Sequence, residues 1–439
     1  MKSLINAAGA ALAVAACVAG LLYLGPDAAR PTAAPPAGAD TGAPGAGRAD
    51  TGAVGAARSR TRDHPGDPAA WAGLARAEIE QARTTLDAAR LDAAEKALRR
   101  SLALDGTDNY AAVTGQGLLA NSRHAFTRGR AYGLDSTRMA PDRPDGYAVL
   151  ADAEIQLGNY PAARTAVQRL LDIAPTTAAY SRAAYDLETH GRTQDAAIAL
   201  RRALDHAGTV DERAFAEARL GDLAWSAGAV DRAERHYRRA LDAVPKHPYA
   251  RAGIARVTAA RGRTGTALEL YGRLTEETPL PQFLLEAVEL RRAAGDMGQG
   301  REGAALAAQV RLVRADGGPV DPYLALYAAD HGDPALAVEL MRREWRHTRS
   351  VIVADALGWA LHRAGRHTEA LGYAREAART GWKNAQFHHH RGTIEQALGM
   401  PGAARSLREA AALRPRPTRE TTKPPAPLGA RADAGGFAR

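Results

Sequence analysis

Residues 144–176 read PDGYAVLADAEIQLGNYPAARTAVQRLLDIAPT, and their spacing decides the fold. Tyr147, Leu150 and Ala151 stand at the fourth, seventh and eighth places, a rhythm that lays one apolar stripe along a helix. Gly158, at the fifteenth place, ends that helix. Tyr160, Ala163, Val167 and Leu170 then mark a second stripe, and Pro175 at the thirty-second place stops it. Ala151 and Ala163 are small enough for the two helices to approach closely. The stretch is one helical hairpin, helix A followed by helix B.

The register recurs on both sides. Residues 214–247 place Leu220, Gly221, Gly228, Ala233, Tyr237, Ala240 and Pro245 at the same positions. Residues 248–281 do so with Ile254, Ala255, Gly262, Ala267, Tyr271, Leu274 and Pro279. Residues 110–143, 177–210, 351–384 and 385–417 follow with Gly117, Ala184, Gly358 and Gly392 at the eighth place. Three units depart: 68–109 has about seven extra residues before Ala94, 281–317 has Gly300 at the twentieth place, and 318–350 lacks the closing proline. Helical hairpins repeated at this period cannot bury their apolar faces singly, so neighbours stack into one continuous core.

This pattern resembles the tetratricopeptide repeat family over residues 68–417. The stretches Ser122–Phe126 and Asp355–Leu361 are similar to actinobacterial members of unassigned role. The resemblance implies an all-α fold, a right-handed α-solenoid of about ten helix-turn-helix repeats, with helix A lining a concave groove. It also implies that places two, five, nine, twelve and thirteen face that groove. Carried onto this chain, those places hold Tyr185, Asp222, Trp225, Tyr249, Arg256, Arg292, Trp359, His362 and His389 among others. Mixed charge with scattered aromatics suits an extended peptide or a partner helix, with Trp225, Tyr249 and Trp359 as the expected anchors.

Composition agrees with an all-α chain. Hydrophobic residues reach 46% largely through alanine, and aromatics are 5%. The net charge of +9 is unevenly placed: residues 1–67 carry +1 and residues 414–439 carry +4, leaving +4 over the 346 residues between. A nucleic-acid reader needs a basic stripe on its folded part, so no specific nucleic-acid partner is expected. The tail after residue 417, with prolines among basic residues, is expected to be unstructured.

Leu4 to Leu24 is an uncharged apolar run after Met1 and Lys2. As a helix it would extend roughly 31 Å, enough to span a bilayer. Three fates are compatible with it: a retained single-pass anchor, cleavage as a signal peptide beyond Leu24 near Ala34, and lipidation at Cys17, which ends the lipobox-like Val14-Ala15-Ala16-Cys17. Each places the solenoid outside the cytoplasm. Residues 25–67, rich in Pro, Gly and Ala, read as a flexible linker.

The sequence lacks a Gly-x-Ser-x-Gly elbow, a phosphate-cradling loop and a His-Glu-x-x-His pair, so neither enzymatic activity nor a cofactor is expected. Cys17 is the single cysteine, which excludes an intrachain disulfide. His388, His389 and His390 are consecutive, with His362 and His367 one repeat earlier and Glu395 nearby. Consecutive helical residues diverge by about 100°, so a metal or small-ligand site would need a neighbouring hairpin. That is the alternative to a protein-binding scaffold, as an accessory of a transport system.

Overall fold

The computed structural model describes residues 52–413 except residues 86, 88 and 299. These residues form twenty-one α-helices and no strand. Helix α1 (Gly52–Asp63) precedes ten hairpins. The first five are α2 (Pro68–Thr85) with α3 (Ala89–Leu104), α4 (Tyr110–Ser122) with α5 (Phe126–Met139), α6 (Pro144–Gln156) with α7 (Tyr160–Ile173), α8 (Thr177–Thr189) with α9 (Thr193–Asp205), and α10 (Val210–Ser226) with α11 (Val230–Ala243). The second five are α12 (Pro248–Ala260) with α13 (Thr264–Glu277), α14 (Pro281–Ala293) with α15 (Gly300–Asp316), α16 (Pro322–His331) with α17 (Pro334–Trp345), α18 (Val351–Arg363) with α19 (His367–Ala378), and α20 (Ala385–Ala397) with α21 (Ala403–Ala412). The expected α-solenoid is the observed architecture. The apolar run Leu4–Leu24 and the tail from residue 418 lie outside the described residues; among the described residues no helix is long and apolar enough to cross a membrane.

The linker assigned to residues 25–67 is corrected at its C-terminal end. Helix α1 buries Val54, Ala57 and Thr61, spaced three and four apart, against Ala72, Leu74, Ala75 and Ile79. Arg58 also donates to Glu78 at 2.7 Å. A stripe of one valine, one alanine and one threonine is too weakly apolar to stand out among glycine and arginine.

Within each hairpin the repeat chemistry holds. Tyr160, Tyr237 and Tyr271 are almost fully buried, and a Cβ on Gly221 or Gly253 would collide with the Tyr237 ring. His247 caps α12: its Nδ1 accepts the Ala250 N–H at 3.3 Å, and burial pushes its pKa down to about 4. Protonation would destroy that acceptor. Above pH 6.5 both folded and unfolded imidazoles are neutral and the cap contributes fully. As pH falls from 6.5 towards 4, the unfolded state takes up a proton that the folded state refuses, and stability is lost. Compared with His247→Asn, which caps without titrating, the native chain should lose about 3 kcal/mol over that window. Urea unfolding of both at pH 7 and pH 4 measures it; a pH-independent difference would contradict the assignment.

The solenoid winds tightly enough that the second, third and fourth units meet residues five or six units further along. At the turn between α6 and α7, the Gln156 carbonyl accepts from the Arg349 N–H at 2.8 Å, and Arg379 Nη2 donates to the Gly158 carbonyl at 2.6 Å. The Tyr160 hydroxyl accepts from the Val351 N–H at 3.0 Å. One unit later, the turn after α8 faces residues 381–383, and the Tyr185 and Trp382 rings meet edge to face with centroids 6.2 Å apart. One unit earlier, His124 Nδ1 lies 3.6 Å from Glu344. Ile155, Tyr160, Tyr185, Phe215, Val351, Trp382 and Phe387 share one apolar cluster across this seam.

Candidate binding cleft

Winding relocates most of the residues expected to line a groove. Tyr185 is buried in the seam against Trp382. Tyr249 is buried against Phe283, with ring centroids 5.4 Å apart. Trp225 is 3% exposed and belongs to the apolar core between α10 and α12. The anchor role expected of Trp225 and Tyr249 is therefore corrected: both are packing residues. A place that faces solvent in an open solenoid faces the next helix A, or the next coil, in a tight one.

Asp222 and Arg256 are buried in a ladder of alternating charge. Arg219 Nη2 donates to Glu188 at 2.8 Å and Arg219 Nη1 to Asp222 at 3.2 Å. Arg256 lies 3.3 Å from Asp222 and 3.1 Å from Glu286. The Tyr237 and Tyr271 hydroxyls donate to Asp222 and Glu286 at 2.8 and 2.7 Å. The Arg219–Glu188, Arg256–Asp222 and Arg256–Glu286 rungs each join one helix A to its neighbour, while Arg219–Asp222 lies within α10 and the two tyrosines reach in from α11 and α13. Arg292, half-buried in the last turn of α14, stands apart from the ladder.

An open cleft remains on the concave side of the last four units. It is a cavity of about 270 Å³ between α14, α16, α18 and α20. Leu285, Leu326 and Trp359 supply apolar wall, and Glu286, Glu289 and Asp330 supply carboxylates. Trp359, 8% exposed, lies between two imidazoles, with ring centroids 4.0 Å from His390 and 5.1 Å from His362. Its indole N–H donates to Asp330 Oδ2 at 3.0 Å, and Arg363 Nε sits 3.0 Å from the other oxygen. Burial pushes the Asp330 carboxyl above its ordinary range, against the pull of that indole. Burial, aided by His367, Arg363 and His390, pushes His362 down to about 4, so it stacks as a neutral ring at neutral pH.

Gln282 Oε1 and His331 Nδ1, buried polar atoms of cleft-lining residues, have no hydrogen-bond partner among the described residues. The other nitrogen of His331, Nε2, faces Glu289. With the proton on Nε2, Nδ1 is an acceptor, as is Gln282 Oε1. Both atoms are sealed from solvent, so the acceptors open to an N–H donor in the cleft are the part-exposed carboxylates Glu289 and Asp330. His389 contributes to its rim. The sequence reading placed Trp359 and His389 here but missed Gln282, Asp330 and His331. Gln282 occupies the second place of its unit, a groove place by the family pattern. Asp330 stands at the thirteenth place of the 318–350 unit, also a groove place by the family pattern, whereas His331 stands at the fourteenth, which the pattern does not turn towards the groove.

The histidines do not converge. His388 pairs with Glu409 at 3.0 Å, His390 with Asp355 at 2.9 Å, and His362 Nδ1 meets His367 Nδ1 at 3.1 Å. No group of three His, Cys, Asp or Glu side chains among the described residues could hold a metal ion, so the histidine-based metal alternative loses its ligand set.

Family models described as tetratricopeptide repeat match residues 115–178, 148–212 and 224–287. A curated relative, cellulose synthase 1 operon protein C of Komagataeibacter xylinus, is 27% identical over 286 residues. That match covers 63% of this chain but 19% of the relative, so the chain spans about a fifth of the relative's length. Among solved structures, human IFIT1 is 16% identical with a TM-score of 0.47, covering 72% of each chain. PilF of Pseudomonas aeruginosa is 16% identical with a TM-score of 0.39, covering 51% of this chain and 98% of its own. A thermophilic TPR protein of Thermus thermophilus is 18% identical with a TM-score of 0.35, covering 47% of this chain and all of its own. Residues 115–212 and 224–287 are tetratricopeptide repeats, and the helical chain is an α-solenoid built on them.

Proposed function

We propose that this chain is a non-catalytic scaffold that holds an extended segment of a partner protein in the cleft between α14, α16, α18 and α20. Tetratricopeptide solenoids generally present such concave surfaces to proteins. The observation that carries the reading is an open cleft in which the part-exposed carboxylates Glu289 and Asp330 stand beside Leu285, Leu326 and Trp359. A lysine, arginine or backbone N–H of the partner would donate to those carboxylates while its apolar neighbours cover the wall. Tethering by residues 4–24, with the solenoid outside the cytoplasm, is part of the proposal and rests on that apolar run.

Extended peptides bearing a central lysine, titrated into the full-length protein by calorimetry, should bind about tenfold more tightly than the same peptides bearing norleucine. Glu289→Gln with Asp330→Asn should erase the preference. Equal binding of both peptides by the native chain would sink the cleft assignment. Protease treatment of intact cells should digest the solenoid; its survival would sink the proposed topology.

A further inference from the structure

A second, larger cleft of about 620 Å³ opens between α9, α10 and α11, with Trp382, Lys383 and Leu413 on its far side. Its position follows from the seam. Residues 349–351 rest on the turn after α6, and residues 379–383 rest on the turns after α6 and α8. In the next turn along, after α10, Ser226 and Ala227 line the cleft together with Trp382, Lys383 and Leu413.

The walls are two-sided in chemistry. Leu220, Leu223 and Trp382 form the floor, and Ile198 stands 51% exposed at the edge. Arg201, Arg232 and Lys383 form the rim, all exposed, and among the described residues no carboxylate pairs with any of them. The lining carboxylate, Glu188, is already bound by Arg219 at 2.8 Å, and His236 is bound to Glu217 at 2.6 Å. The cleft is therefore apolar at its base and positive at its rim, the opposite sign to the cleft between α14 and α20.

We propose that this cleft docks an acidic amphipathic segment of a partner protein, with an apolar side chain against Ile198 and carboxylates on Arg201, Arg232 and Lys383. The chain's own residues 414–439 carry six Lys/Arg against two Asp/Glu, a charge of the wrong sign for an occupant of that rim. A nucleic acid would meet the cations but gain nothing from Ile198 and the leucines below it.

The test uses the full-length protein and a fluorescein-labelled helical peptide of about 16 residues, roughly 24 Å long, with leucines every third or fourth position and glutamates between. Fluorescence anisotropy should show binding that weakens as sodium chloride rises from about 50 mM to about 500 mM. Arg201→Glu with Lys383→Glu should weaken it about tenfold, and Ile198→Asp at least as much. Both variants alter exposed side chains, and unchanged circular dichroism and Tm will show that they fold. The glutamine analogue of the peptide should bind at least tenfold more weakly. The proposal is overturned if the peptide fails to bind, if the folded variants bind it as the native chain does, or if a single-stranded oligonucleotide binds as tightly through the same residues. Because Glu289 and Asp330 belong to the other cleft, failure here leaves the lysine-peptide result unaffected.

Discussion

Arg256→Met should lower the stability of the full chain by about 3–5 kcal/mol, read as a shift of the urea midpoint. Arg256 is 2% exposed and bridges Asp222 on α10 to Glu286 on α14 across α12. Burial works against its charge, but Glu286, Tyr237, Tyr271 and Asp222 more than offset that, and its pKa stands well above the ordinary value. Removing the guanidinium leaves two buried carboxylates facing each other through Tyr237 and Tyr271. Glu286 would retain Tyr271 and Gln282, while Asp222 would retain Tyr237 and Arg219. The loss is thus uncompensated charge, not a missing contact. Two controls isolate it. Arg256→Lys keeps the charge but loses the planar fork, and should fall between native and methionine. Combining Arg256→Met with Asp222→Asn and Glu286→Gln should recover most of the loss, because neutral partners no longer need a cation. A single variant within about 1 kcal/mol of native would mean that the ladder contributes nothing beyond its packing volume.

The ladder also shows where sequence reading succeeds and stops. The hairpins were legible because each is decided locally: Gly158 ends a helix, Ala151 and Ala163 allow close approach, and Tyr160 fills the interface. The same logic placed Trp359 and His389 on the concave side. Winding is not decided locally. It accumulates from small rotations at every interface, and no residue in 144–176 announces that Gly158 will touch Arg379. Tyr185 and Trp359 occupy equivalent places, yet one is sealed by Trp382 in the following coil and the other borders an open cleft. Arg219 and Asp222 read as scattered surface charge until neighbouring A helices bring Glu188 and Arg256 against them. Asp330, at the thirteenth place of 318–350, was countable by the same ruler, whereas His331, at the fourteenth, lies outside the groove places and becomes a lining residue only through the packing of α14 against α16.

The seam has its own decisive comparison, Gly158→Ala against Gly262→Ala. Both glycines hold the fifteenth place of their units and both adopt left-handed backbone, with φ of 74° and 80°. Alanine in that conformation costs about 1–2 kcal/mol at either site. Their surroundings differ. A Cβ at Gly262 would meet nothing within 4 Å, whereas one at Gly158 would fall well inside contact distance of the Arg349 carbonyl oxygen. That neighbour is backbone, held by the Gln156 and Tyr160 hydrogen bonds, and cannot rotate away as a side chain would. Relief therefore requires the two coils to separate, breaking those bonds and the Arg379 contact and exposing the edge of the cluster around Tyr185 and Trp382. Gly158→Ala should cost about 3 kcal/mol or more in urea unfolding, and Gly262→Ala only the conformational term. Small-angle scattering should show a larger radius of gyration for the first variant and none for the second. Equal losses with unchanged dimensions would mean that the coils touch without stabilising each other. A larger loss at Gly158 with expansion would establish the seam as the contact that keeps the concave face of the middle repeats closed and leaves the cleft between α14 and α20 as the accessible one.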